Sequence, residues 1–125
     1  MAEVIIAIDF DGTVVTHEYP RIGKDIGAVP YLKRLTDNGH KLILFTMRSG
    51  NELEEAKKWF AERNIPLYGI NENPDQNWTT SPKPYAHLYI DDSGLGVPLK
   101  KEQGVSKTFV DWDKVALYLK AYNLI

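Results

Sequence analysis

Apolar residues fall into two spacings along this chain. Val4 to Ile8 is a continuous, β-branched run that ends at Asp9, and Lys41 to Thr46 holds a second run, Leu42-Ile43-Leu44-Phe45. Such runs suit strands buried on both faces, as in a parallel sheet. Ile65 to Ile70 and His87 to Ile90 predict two more strands, the second again ending at acids. Between the strands the spacing turns helical. Pro30 to Asp37 sets Tyr31, Leu32 and Leu35 on one face, with Pro30 suited to a first turn and Asn38-Gly39 to a stop. Asn51 to Arg63 carries an apolar stripe of Leu53, Ala56, Trp59 and Phe60, with Ser49 or Asn51 as its cap and Asn64 as its end. Asp111 or Asp113 caps a last helix running to Asn123, with Trp112 as a packing residue beside it.

The remaining stretches are polar and broken. Residues 14 to 28 read as a loop or short hairpin, and residues 71 to 85, with Pro74, Pro82 and Pro84, as a long turn-rich connection. Gly94 to Pro98 is a turn with a fifth short strand. The order β-α-β-α-β-β with a closing helix predicts a single Rossmann-like, three-layer α/β domain over residues 1–125, with a mainly parallel sheet. Right-handed crossovers bring the carboxyl ends of strands one, two and four to one edge, where open α/β sheets bind ligands.

Composition narrows the function classes. A chain of 125 residues, 43% hydrophobic, is long enough for one sizeable core. A net charge of −2 gives no general affinity for nucleic acid or anionic membrane. With no cysteine, disulfides, thiolate zinc sites and thiol catalysis are excluded. The first apolar run is short and Glu3 stands where a signal peptide carries positive charge, so a cytoplasmic protein is expected.

The chemistry stands at the strand ends. Strand one ends Asp9-Phe10-Asp11-Gly12-Thr13, strand two Phe45-Thr46-Met47-Arg48, and strand four Ile90-Asp91-Asp92, with Lys83 just before it. Two carboxylates about 4 Å apart repel by about 4 kcal/mol at an effective dielectric of 20. Four acids on one rim therefore call for protonation or for a cation among them. A hard divalent ion with oxygen ligands, such as Mg²⁺, answers that need, and Lys83 would compensate part of the remainder.

These residues, in this order, resemble the four motifs of the haloacid dehalogenase-like hydrolases. Asp9-x-Asp11-Gly12-Thr13 is similar to the first motif, Thr46 to the second, Lys83 to the third and Asp91-Asp92 to the fourth. The resemblance implies a Mg²⁺-dependent phosphatase acting through an aspartyl-phosphate on Asp9, an already ionised nucleophile. It implies Asp11 as general acid and base, protonating the leaving group and then activating water. It also implies that Thr46 bonds a phosphoryl oxygen and that Lys83 pairs with Asp9 and the phosphate. The metal would be held by Asp9, Asp11 (through its backbone carbonyl) and Asp92, with Asp91 nearby or acting through water. Gly12 lets the backbone turn so that both early acids face the site.

Arg48, two residues past Thr46, is a candidate contact for phosphate or substrate. His17, Glu18 and Arg21 lie in the stretch that corresponds to the family's flap, and His40 and His87 read as structural. Family members usually carry a cap domain. Residues 14–28 and 71–82 are too short to hold one, so the site is expected to be open unless an oligomeric neighbour covers it. The expected partner is a phosphorylated small molecule or an exposed macromolecular phosphate. Two other readings stay open: a receiver-like signalling module, disfavoured because Asp-x-Asp-Gly-Thr comes first, and a silent member serving in binding or assembly.

Overall fold

The computed structural model describes residues 2–125. Nine elements follow one another: β1 (Ile5–Ile8), α1 (Ala28–Asp37), β2 (Lys41–Leu44), α2 (Gly50–Glu62), β3 (Gly69–Ile70), β4 (Leu88–Ile90), β5 (Leu99–Lys100), β6 (Phe109–Val110) and α3 (Trp112–Ala121). The main sheet has the order β3-β2-β1-β4, and every pairing in it is parallel. This is the α/β, mainly parallel, Rossmann-like arrangement read from the sequence.

Side chains alternate between the faces of a strand, and the core divides accordingly. Ile6, Ile8, Leu42, Leu44 and Ile90 join Leu32 and Leu35 of α1, Trp59 and Phe60 of α2, and Trp112 and Leu119 of α3 in one large cluster. All three helices therefore cover one face, so of the three layers expected the one on the other face is irregular chain and not helix. On the other face Ala7 and Ile43 pack against Ala86, with Ile5 and Tyr68 at the margin. That face is covered by the irregular chain between β3 and β4, where an α/β crossover usually carries a helix. Tyr89 and Phe45 follow the same alternation and stay partly exposed.

Chain order reverses between β1 and β4. The connections from β1 run towards β2 and β3, whereas β4 returns to the opposite flank of β1. Such a switch point leaves a crevice beyond the carboxyl ends of the two strands.

Several boundaries differ from expectation. α1 begins at Ala28, so Pro30 occupies the third helical position, which is also free of any intrahelical N–H partner. Only Gly69–Ile70 of the expected third strand pairs, because Pro66 interrupts the run and Ile65 is buried as a core plug. β5 lies at Leu99–Lys100, beyond the Gly94–Pro98 turn, and pairs antiparallel with the unforeseen β6. Asp111, not Asp113, caps α3, its side chain accepting from the Lys114 N–H. Residues 14–28 do form a short hairpin, with Val15 bridged to Asp25 and the Thr16 amide donating to the Lys24 carbonyl. Among the described residues no helix is long and apolar enough to cross a membrane.

Candidate active site at the strand ends

Phe10 fixes the first pair of acids. It is fully buried, with ring centroids 5.7 Å from Trp59 and 5.9 Å from Phe60. With Phe10 anchored in the core, Asp9 and Asp11 emerge on either side of it. Gly12 follows with φ +80, and a Cβ there would stand 2.5 Å from the Asp92 carboxylate. Glycine thus meets two demands at once, a left-handed backbone and the close approach of the strand-four acids.

Thr13 ties the two strand ends together. Its hydroxyl donates to Asp9 Oδ2 at 3.0 Å and accepts from the Asp92 N–H at 3.0 Å. The Thr13 carbonyl in turn accepts from Trp112 Nε1 at 2.7 Å. Trp112, expected only to pack, is therefore also a donor that holds the loop carrying the acids. Asp91 closes the next turn, accepting from the Ser93 N–H at 2.8 Å.

Carboxylate oxygens of Asp9, Asp91 and Asp92 lie within 4.8 Å of one another, a spacing that can hold a metal ion. Burial, reinforced by the Asp91 charge and the Asp92 carboxyl, pushes the Asp9 carboxyl up from 3.8 to about 7. The expected gathering of acids from strands one and four is thus present. The three acids share an open cleft of about 650 Å³ with Asp11, Thr46, Arg48, His17, Tyr19 and Phe45, among others.

Thr46 sits where the sequence placed it. Its amide donates to Asn71 Oδ1 at 2.7 Å, and its hydroxyl oxygen accepts from the Arg48 N–H at 3.1 Å, which leaves the O–H free to donate into the cleft. Asn71, at the end of β3 with φ 55, was not anticipated; nothing in a polar loop residue announces that it will brace the neighbouring strand.

Two expectations are corrected by the geometry, those for Arg48 and Lys83. Asp11 lines the cleft, and its side chain, expected as acid and base rather than as a metal ligand, is not in the metal-spaced group. Instead its two oxygens take Nε and a terminal nitrogen of Arg48, both at 2.7 Å. Arg48 is accordingly not a free substrate contact. It is 2% exposed, and its other N–H groups donate to the carbonyls of Pro20, Arg21 and Glu52. The Asp11 contact, chiefly by hydrogen bonding, raises the guanidinium's affinity for its proton further. One buried cation thereby joins the first motif, the hairpin and the start of α2. Lys83 does not line the cleft; its ammonium lies 5.3 Å from the centre of the exposed Tyr89 ring. The connection before β4 forms no helix that could carry it to the strand ends.

His40 and His87 are structural, as read. Their Nδ1 atoms accept the N–H groups of Val4 and Ile5 at the opposite end of β1. Arg21, in the hairpin, makes only a loose 4.0 Å pair with Glu18 at the surface.

No protein-family model matches the chain, and no curated protein does. A solved structure, that of a conserved protein from Bacteroides thetaiotaomicron, superposes on this fold with a TM-score of 0.79. The two sequences are 36% identical, over 97% of this chain and 93% of the other. At that identity, carried over nearly the whole of both chains, this protein belongs to the same family as the conserved Bacteroides protein.

Proposed function

We propose that the protein is a divalent-cation-dependent phosphatase of the haloacid dehalogenase-like type, with Asp9 as the nucleophile. The observation that carries the reading is the meeting of Asp9, Asp91 and Asp92 at the switch point of the sheet, oxygens within 4.8 Å. Like charges held this close in a partly buried site suit a hard cation with oxygen ligands, and Mg²⁺ fits the donor set. Asp9, Asp91 and Asp92 would hold it. When bound, the ion neutralises the acids and draws charge from the phosphoryl oxygens.

Each side chain then has a task. Asp9, in its ionised form, attacks phosphorus and receives the phosphoryl group while the bond from phosphorus to the leaving oxygen breaks and that oxygen takes a proton from Asp11. The Thr13 hydroxyl, bonded to Asp9 Oδ2, keeps that carboxylate in one rotamer. The Thr46 hydroxyl donates to a phosphoryl oxygen. Asp11 sits two residues from the nucleophile and takes a proton from the water that attacks the acyl-phosphate. Arg48 occupies two of the roughly four lone-pair sites of that carboxylate and leaves the others for water. In this arrangement Lys83 has no part in the chemistry.

A second reading, a phosphate- or metal-binding module without turnover, is favoured by one feature: the two-point grip of Arg48 on Asp11. Acetyl phosphate and p-nitrophenyl phosphate, assayed with and without millimolar Mg²⁺, separate the two. The phosphatase reading expects Mg²⁺-dependent release of phosphate that disappears in Asp9→Asn. Mg²⁺ binding without release of phosphate from either compound establishes the binding module instead.

A further inference from the structure

The cleft is far larger than a phosphate needs. At about 650 Å³ it falls within the range of pockets that enclose a drug-sized molecule, about 300–1,000 Å³. Its acids are one part of the lining. The rim carries Tyr19, 52% exposed, Phe45, 38% exposed, and Met47, wholly exposed. None of the three is used by the core. Phe45 follows β2 on the face that no helix covers, and Tyr19 is held from below by the Arg48 guanidinium, 5.2 Å from its ring centre. One exposed apolar side chain is ordinary, but three from two separate segments in one cleft with the acids form a recognition surface.

The charges of the lining narrow what that surface accepts. Asp9, Asp11, Asp91 and Asp92 all line the cleft. Arg48 is the one Lys or Arg among the lining residues, and all five of its N–H groups are engaged by Asp11 and the carbonyls of Pro20, Arg21 and Glu52. A second anionic group on the substrate would meet four carboxylates, with the His17 imidazole as the one nitrogen-bearing side chain of the lining that is not already engaged. That excess of carboxylates suits a neutral substrate body, and Tyr19, Phe45 and the polarisable Met47 thioether suit a flat ring.

Building on the phosphatase reading, we propose that the cleft takes nucleoside monophosphates, the phosphate at the acids and the base against Tyr19 and Phe45. A single base–aromatic stack changes affinity by about tenfold or more. Steady-state kinetics of the wild-type protein in Mg²⁺ test this with adenosine and uridine 5′-monophosphate, glucose 6-phosphate, glycerol 3-phosphate, adenosine diphosphate and a phosphotyrosine peptide. The nucleoside monophosphates are expected to lead in kcat/KM by about tenfold or more, with the diphosphate below them. Phe45→Ala and Tyr19→Ala are each expected to raise KM for adenosine monophosphate by about tenfold more than for acetyl phosphate, with kcat moved much less. Equal or better use of the sugar phosphate, the glycerol phosphate, the diphosphate or the phosphotyrosine peptide overturns the proposal. So does an unchanged KM in both variants. If no compound is turned over, acetyl phosphate included, the phosphatase reading fails by itself. Calorimetric binding of adenosine monophosphate and glucose 6-phosphate to the wild-type protein then decides. Tenfold tighter binding of the nucleotide upholds the proposal, and equal or undetectable binding ends it.

Discussion

The two ends of the central strand are built on opposite electrostatic rules. At its amino end the charged and polar groups are paired, with one exception: His40 and His87 accept the amides of Val4 and Ile5, and Lys41 pairs with Glu3 at 3.3 Å, while His40 Nε2 is buried without a partner. At its carboxyl end three acids converge, and burial among them lifts Asp9 to about 7. One end is arranged for stability. The other holds a repulsion that only a proton or a cation relieves. Like charges gathered at the crevice beyond the switch point are the feature on which the phosphatase proposal rests.

Substitutions at the two ends should therefore separate activity from stability. The largest effect is expected for Asp9→Asn, which should lower phosphate release by about a thousandfold or more, since a residue bonded to the phosphoryl group has no substitute. Its fold should persist, as seen by circular dichroism. Full activity in that variant would remove Asp9 from the chemistry.

Gly12→Ala and Arg48→Met come next, the second with the larger loss of stability. A methyl group 2.5 Å from Asp92, on a backbone at φ +80, should destabilise the protein by about 2 kcal/mol or more and displace the strand-four acids. A urea titration reads the first effect, and loss of the Mg²⁺ response reads the second. Arg48→Met should cost about 3–5 kcal/mol, because it leaves the Asp11 carboxylate without its partner and three hairpin and helix carbonyls without their donors. A loss below about 1 kcal/mol would show that the ion pair is incidental.

The acid cluster also sets a pH dependence. Asp9 holds its proton more tightly in the folded protein, to about 7 against an ordinary 3.8. The folded state therefore binds more protons between those values, and metal-free protein should lose stability as pH rises from about 4 to about 7. Asp9→Asn should flatten that slope, and so should millimolar Mg²⁺. A metal-free wild type whose slope matches the variant's would mean that neither burial nor the neighbouring acids raise the Asp9 carboxyl. The smallest effect belongs to the amino end. His87→Ala should cost about 1 kcal/mol for one hydrogen bond at an exposed site and leave the Mg²⁺ response alone.

How much of this could be read in advance follows the range of the interactions. The strands that matter are continuous apolar runs ended by acids, so Asp9, Asp91 and Asp92 stood out, and the parallel order followed from alternation with helices. Arg48 was visible as a charge near the rim, but its partner lies 37 residues away and its other acceptors are backbone carbonyls of a hairpin. No local pattern encodes those contacts. Lys83 failed for a related reason. A lysine reaches the strand ends when a helix carries it there, and residues 71–86 have neither helical spacing nor helical structure. β5 and β6 are two residues each, too short for any alternation to register. Thr13 was read only as the last residue of the first motif; the bridge of its hydroxyl to Asp92 became visible only with both strands in place.

Calorimetric titration of the metal-free protein with Mg²⁺ at neutral pH, paired with thermal melts, bears most directly on the meeting of the acids. One ion should bind per chain and, at a hundred times its dissociation constant, contribute about 2.7 kcal/mol, raising Tm by on the order of 10 °C. Asp92→Ala should abolish both signals. A wild-type protein that takes up no Mg²⁺, Mn²⁺ or Ca²⁺ at millimolar concentration, and melts at the same temperature with and without them, would contradict the account.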